Sequence, residues 1–235
     1  MLVLIVLYRR RRLPQRQYAD PVAALGLFTY AIAFSFAYLK LNTGMGALIL
    51  FGAVQLSMFA VALRAGEHFP PVAWAGLAIA AGGLVWLVLP GLTAPDPVGA
   101  GLMAVAGIAW GVFSLRGRGV THPVENIGVS FALGVPLALV ASLLTLGDLH
   151  AAPAGIAAAL VSGAVTSGLG YAVWYAALKG LTATRAATLQ LSVPAIAAFG
   201  GVLLLDEAVT LRLVVASAAM LGGVAIVVTQ RARKA

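Results

Sequence analysis

The sequence contains no cysteine and little charge. Only 9% of its 235 residues are Asp, Glu, Lys or Arg, whereas about 25% is usual for a soluble domain. The absence of cysteine excludes disulfides and thiolate chemistry, and it leaves the cellular compartment open. Hydrophobic residues make up 62% of the chain and the mean hydropathy is +1.02. This composition predicts an integral membrane protein.

Acidic residues and histidines are missing from the centres of the apolar segments, because all of them fall in breaks or at segment ends. Proton relays and cation sites in membranes normally need a buried carboxylate or histidine, so the pattern argues against a proton-coupled cation exporter. It offers no metal-ligand cluster and no nucleophile paired with a base. We therefore expect no metal, no cofactor, no catalytic residues and no enzymatic activity.

Apolar segments of membrane-spanning length recur along the chain, separated by short breaks rich in Gly and Pro. The opening MLVLIVLY covers only about 12 Å as a helix, against a bilayer core about 30 Å thick, so it is predicted to be the end of an earlier helix. The expected fold is an all-α polytopic membrane protein with eight full transmembrane helices and the stub of a ninth. The predicted spans are residues 22–40, 45–64, 71–90, 98–115, 126–147, 155–178, 185–205 and 209–230.

The basic residues are concentrated in alternate breaks, beginning with the arginines at positions 9–12. By the positive-inside rule, this arginine cluster and the C-terminus are both predicted to be cytoplasmic. The net charge of +8 is then explained by membrane-flanking residues, so nucleic-acid binding is not expected.

A weak repeat appears when the sequence is shifted by 140 positions. Glu67 then aligns with Glu207, and the Gly-Gly pair at 82–83 aligns with the pair at 222–223. Five spans separate the two glutamates, and because five is odd the copies are predicted to be inverted across the membrane. Inverted repeats are typical of alternating-access transporters with a site near the midplane. The predicted repeats are residues 1–90, lacking the first helix and most of the second, and residues 98–230 with five helices.

Three stretches resemble a known family: AYLKLNTGMGALILFGAVQLSM at 37–58, GYAVWYAALKGLTATRAATLQLSVPAIAAFGGVLLLDEAVTLR at 170–212, and MLGGVAIVV at 220–228. They look like the EamA-type branch of the drug/metabolite transporter (DMT) superfamily. The resemblance implies ten helices in two inverted five-helix repeats, and export of amino acids or similar small metabolites. Residues 1–235 would be an N-terminally truncated form, which we expect to insert into a membrane but not to transport.

Neutral polar and aromatic residues near the middle of the spans are the candidates for solute contact. Aromatic walls with a few fixed polar groups suit a small neutral or zwitterionic solute. Each of these side chains could equally well only pack or bond a neighbouring helix. The candidates are Tyr30, Phe34, Gln55, Trp110, Ser167, Tyr171, Gln190 and Ser192.

Two further sets of residues stand out. Glu67 and Glu207 follow a span directly, where a carboxylate is either structural or a contact at a gate. Small residues spaced four apart let helices approach closely in lipid, within one molecule or across a homodimer. The predicted packing residues are Ala78, Gly82, Gly83, Ala218, Gly222 and Gly223.

Taken with the resemblance, these patterns predict a secondary transporter that exports small metabolites by alternating access. Its expected partners are the lipid bilayer and a small solute, and its expected location is a cell membrane, a bacterial inner membrane in particular. The alternative is a membrane scaffold or partner subunit that transports nothing.

Overall fold

The computed structural model describes residues 20–91, 94–148, 152–205 and 208–230. The predicted N-terminal stub, the arginine cluster and Glu207 lie outside these residues. Every regular element within the described ranges is helical. The helices are α1 (Pro21–Ala37), α2 (Thr43–Arg64), α3 (Pro71–Val88), α4 (Pro97–Gly117), α5 (Pro123–Leu144), α6 (Pro153–Val161), α7 (Gly168–Leu178), α8 (Ala183–Leu189), α9 (Val193–Leu205) and α10 (Leu211–Thr229).

Helix length and composition confirm the predicted polytopic membrane fold. In the described part of the chain, seven helical stretches are long and apolar enough to cross a membrane. Helix α1, the predicted span 22–40, is a shorter apolar helix of 17 residues, which corresponds to about 25 Å. The further helices expected upstream stay a prediction.

Helix starts follow from the residues in the breaks. Five of the described helices begin at a proline, where the missing N–H would be unpaired in any case. Asn42, Thr182 and Thr210 cap α2, α8 and α10, because each side chain accepts a backbone N–H from the first turn.

Two of the predicted spans change their helical type near the middle. Between α6 and α7 the chain forms a π-helical segment, Ser162–Ser167. Between α8 and α9 it forms a 3-10 turn, Gln190–Ser192. Pro194 explains the second change, because proline has no N–H to donate four residues back. The N–H of Val193 bonds the Gln190 carbonyl instead, so the proline leaves this carbonyl satisfied.

The described residues form two compact units. One contains the residues up to Ile32 together with Val112–Leu181, and the other contains Ala33–Gly111 together with the residues from Thr182 onward. Each unit therefore draws on both predicted repeats. The repeat boundaries at 90 and 98 are a feature of the sequence, and they stay a prediction.

In the second unit, α3 and α10 pack so closely that their backbones touch. A Cβ added at Gly76 would lie 2.8 Å from the Gly223 carbonyl oxygen, and one added at Gly83 would lie 2.9 Å from the Ala216 carbonyl oxygen. Small residues at these positions are what allows the approach. The contact continues into an apolar core with Ala80, Leu84, Leu191, Ala195, Met220 and Val224.

This α3–α10 contact uses only two of the six predicted packing residues, Gly83 and Gly223. The other four are exposed, and a Cβ on either exposed glycine would have nothing within 4 Å. These four take no part in the α3–α10 contact, because the buried stripe runs along the adjacent face of each helix. Their use between two copies of the chain stays a prediction. The four are Ala78, Gly82, Ala218 and Gly222.

In the first unit, aromatic side chains from α4, α5 and α7 form the core. Tyr175 is fully buried, and its hydroxyl donates to the Phe113 carbonyl at 2.9 Å. Its ring occupies the place where residue 117 would carry a Cβ, which explains the glycine there. At the N-terminus of α1, Asp20 pairs with Arg116 at 2.7 Å.

Candidate functional site

Three of the predicted solute-contact residues lie around the contact of α2 with α8 in the second unit. Gln55, near the middle of α2, donates its Nε2 hydrogen to the backbone carbonyl of Ala187 at 2.7 Å. Gln190 follows α8 by one residue and retains only 5% of its surface exposed. We call Gln55, Trp110 and Gln190 the amide cluster.

Both polar ends of the Gln190 side chain are engaged. Its Nε2 donates to the Ala186 carbonyl at 3.2 Å and contacts the sulfur of Met58 at 3.4 Å. Its Oε1 accepts a hydrogen bond from the indole Nε1 of Trp110. The side chain of Gln190 is therefore fixed by three neighbours, which gives the cluster a defined shape.

Gln55 has one polar atom unpaired. Its amide must point Nε2 at Ala187, because a carbonyl can only accept, and this leaves Oε1 as the second polar atom. Oε1 is buried and has no hydrogen-bond partner. A buried unpaired acceptor costs about 1–3 kcal/mol, so such groups are rare in folded proteins. The amide cluster can therefore accept one further hydrogen bond.

Three other candidates meet in the first unit. The Tyr171 side chain is hydrogen-bonded to those of Tyr30 and Ser167. Its ring stacks on Phe131 with centroids 5.7 Å apart. Ser167 ends the π-helical segment, and such segments inside α-helices occur frequently at functional sites.

The remaining two candidates have local contacts. Ser192 donates its hydroxyl to the Leu189 carbonyl of the preceding turn at 2.7 Å. Phe34 packs edge-on against Tyr38 with centroids 4.7 Å apart. Neither of these two contacts joins its residue to the amide cluster.

Glu67 binds the start of α8. Its Oε1 accepts the Ala183 N–H at 2.8 Å, and its Oε2 accepts the N–H and the hydroxyl of Thr184, each at 3.1 Å. A carboxylate is favoured there by the partial positive charge of a helix N-terminus. This contact is the structural one of the two roles considered for Glu67. Its repeat partner Glu207 lies outside the described residues.

Two members of the site were missed by the sequence reasoning. Met58 lies one turn after Gln55, so helical spacing could have placed it on the same face of α2. The Ala187 carbonyl gives no signal in the sequence, because every residue has one. Among the residues that the structure describes, no group of three His, Asp or Glu side chains converges as a metal site would need.

Comparison with known proteins agrees with this architecture. The model of the EamA-like transporter family matches residues 97–229, more than half of the chain. An uncharacterized protein of Pseudomonas aeruginosa is 44% identical over all 235 residues, and the chain covers 82% of its length. A protein of known crystal structure, 20% identical, shares the fold with a TM-score of 0.79 over 96% of this chain and 81% of its own. The chain therefore belongs to the EamA-like transporter family, whose members are membrane transporters of the DMT superfamily.

Proposed function

We propose that this transporter exports small neutral or zwitterionic metabolites by alternating access, and that the amide cluster contributes to solute binding. The observation that carries the proposal is the buried, unpaired Oε1 of Gln55. An N–H or O–H group of a solute would satisfy this oxygen once a movement of the helices exposes it.

The chemistry of the cluster supports a solute without net charge. Its side chains are two amides and an indole, and the contacts that fix them are made to backbone carbonyls and a thioether. A solute with a net charge would lose its hydration on entering the site, and none of these groups carries an opposite charge. Its transfer from water would therefore be costly in free energy. A hydroxyl, an amide or the ammonium of a zwitterion could donate to Oε1 at lower cost.

The helix geometry supports alternating access. Transporters with repeated halves commonly bind solutes where membrane helices are interrupted near the midplane. The 3-10 turn at Gln190–Ser192 is such an interruption, and it carries one member of the cluster. Two successive short helices can tilt relative to each other more easily than one continuous helix.

The charge distribution supports the proposed orientation, with the arginine cluster at positions 9–12 and the C-terminus in the cytoplasm. Arg64 and Arg116 lie in the last turns of α2 and α4, and Arg185 lies in the first turn of α8. These ends fall on one side of the membrane if each span crosses it once. The positive-inside rule assigns that side to the cytoplasm, and a bacterial inner membrane is the location that we propose.

Substitution of Gln55 tests the proposal. Gln55→Leu keeps the approximate bulk and removes both polar atoms, so flux of a panel of radiolabelled alanine, leucine, threonine and glutamine should fall. One hydrogen bond of about 0.5–1.5 kcal/mol corresponds to a few-fold loss of affinity. The variants are compared in the form extended upstream to ten spans, and residues 1–235 in parallel proteoliposomes should show no flux. Equal flux from the two lengths would contradict the truncation expected from the sequence.

Ser57→Ala is the matched control, because Ser57 lies on the same helix and its hydroxyl only bonds the Val54 carbonyl one turn back. We expect its flux to equal that of the unmodified chain. Equal flux from Gln55→Leu and Ser57→Ala, at equal protein levels, would contradict a role for Gln55 in solute binding.

A further inference from the structure

The residues after α2 form a turn that directs Glu67 back toward the membrane helices. The Glu67 N–H donates to the Ala62 carbonyl at 2.9 Å, and the Gly66 N–H donates to the Leu63 carbonyl at 3.0 Å. Gly66 has a φ of +78°, a conformation that glycine adopts without strain. This bond pattern is a Schellman motif, which ends a helix and fixes the direction of the chain that follows.

The Glu67 carboxylate makes three hydrogen bonds to residues distant in sequence. It binds two backbone N–H groups and one hydroxyl of the α8 N-terminus, 116 and 117 residues further along the chain. Bonds to a charged acceptor are shorter and stronger than neutral ones. Ala183 and Thr184 are themselves almost fully buried, so the water that could replace the carboxylate has little access.

Helix α8 has a second cap that does not involve α2. The Thr182 hydroxyl oxygen accepts the Arg185 N–H at 3.3 Å, within the same segment of chain. Thr182 therefore stabilises the helix end locally, whereas Glu67 ties that end to the end of α2. The Thr182 hydroxyl also lies 3.1 Å from the Thr184 hydroxyl, so the two caps adjoin, but only the Glu67 bonds reach α2.

The position of α8 matters because this helix carries the carbonyl that holds Gln55 and leads directly into Gln190. The Ala187 carbonyl, one turn after Thr184, holds Gln55, and Gln190 follows one turn later. Gln55 and its neighbour Met58 both belong to α2. The position of α8 along α2 therefore sets the distance between Gln55 and Gln190.

We propose that Glu67 is a positioning residue for solute binding: its carboxylate clamps the N-terminus of α8 to the end of α2 and so holds the amide cluster in register. The effect on solute binding rests on the proposed function of the cluster, whereas the clamp itself is a property of the fold. Loss of the clamp lets the start of α8 separate from α2, so that water reaches amide groups that are otherwise buried and α8 opens more often.

The test compares Glu67→Gln with Thr182→Ala. In Glu67→Gln the uncharged amide keeps one acceptor oxygen, and its NH2 group cannot accept from Thr184. We expect hydrogen exchange across residues 183–190 to become faster by about tenfold, the factor that corresponds to about 1.4 kcal/mol. In Thr182→Ala, exchange should rise only near residues 184 and 185, which the Thr182 hydroxyl contacts.

Transport kinetics provide the second readout, with the same alanine, leucine, threonine and glutamine panel. Glu67→Gln should raise KM about threefold to tenfold with little change in the maximum rate, and Thr182→Ala should leave KM unchanged. Unchanged exchange at 186–190 in Glu67→Gln, or an equal rise of KM in both variants, would overturn the clamp. Unchanged flux in Gln55→Leu would overturn the solute site but not the clamp. The two outcomes are distinguishable because the exchange measurement involves no solute.

Discussion

The close contact of α3 with α10 makes a sharp prediction about two neighbouring glycines. A Cβ at Gly223 would lie 2.6 Å from the Ala80 nitrogen and 3.0 Å from the Ala80 Cβ, and it would also clash with the Gly76 carbonyl oxygen. A Cβ at Gly222 would meet nothing within 4 Å. We expect Gly223→Ala to force the helices apart and Gly222→Ala to be tolerated.

The magnitude follows from the difference between the two variants. Both replace glycine by alanine inside the same helix, so both gain the helix propensity of alanine, at most about 1 kcal/mol. Only Gly223→Ala also overpacks a contact, which typically costs about 1–3 kcal/mol. At about 2–4 °C per kcal/mol for a chain of this size, Gly223→Ala should melt about 2–12 °C below Gly222→Ala.

The assay is thermal unfolding of the purified protein in one detergent, with all variants measured side by side. Gly82 and Gly83 provide an independent pair on α3. A Cβ at Gly83 would lie 2.9 Å from the Ala216 carbonyl oxygen, and one at Gly82 would meet nothing within 4 Å. Equal melting temperatures within both pairs would refute the close approach of the two helices.

Two further predictions concern the charges at the membrane surfaces. Because the chain has no cysteine, single cysteines introduced at positions 118 and 95 can report orientation. An impermeant thiol reagent added to intact cells should label position 95 and leave position 118 unlabelled. The reverse pattern would contradict the proposed topology. Partial burial alone would raise the pKa of Asp20. The hydrogen bond and charge of Arg116, together with the bonds from the Ala23 and Val22 N–H groups, outweigh burial and hold this pKa below the ordinary value for aspartate. A lowered carboxyl pKa contributes stability that is present above the unfolded value and is lost as pH falls through the folded one. Acidification below about pH 4 should therefore narrow the difference in melting temperature between the unmodified chain and Asp20→Asn, and a constant difference would contradict the pairing.

The positions of the helices could be predicted from the sequence because the bilayer imposes a length on apolar segments. The predicted spans 71–90 and 98–115 correspond to Pro71–Val88 and Pro97–Gly117. The π-helical segment gave no signal, because Ser162–Ser167 contains neither proline nor a charge. The 3-10 turn does have a sequence signal, because Pro194 cannot donate to the Gln190 carbonyl, although the bond that Val193 makes to this carbonyl has none.

The buried face of a membrane helix was harder to predict than its position. In water, the apolar face of a helix faces the core, whereas in lipid an outward face is also apolar, so hydrophobic periodicity gives no choice between faces. The Gly-Gly pairs were therefore predicted as packing residues, but the sequence did not distinguish Gly82 and Gly222 from Gly83 and Gly223, which make the contact. Only the three-dimensional packing shows which glycine of each pair lies in the contact.

Part of the candidate site could be predicted from the depth of its side chains in the membrane and from their polarity. Gln55 and Gln190 stood out because amides are uncommon near the middle of a span, and the structure brings both to the α2–α8 contact. Glu67 stood out by its position, whereas its partners Ala183 and Thr184 bind mainly through backbone N–H groups. Backbone partners are set by the fold and carry no side-chain signature.

Counterflow in proteoliposomes tests the central claim most directly. The measurement compares uptake of radiolabelled neutral, cationic and anionic amino acids, each against an excess of the same solute inside, by the chain extended upstream to ten spans. The amide cluster predicts accumulation of at least one neutral solute and a few-fold loss of apparent affinity in Gln55→Leu. Accumulation of charged amino acids alone, or of a neutral solute with the same affinity in Gln55→Leu, would contradict the account.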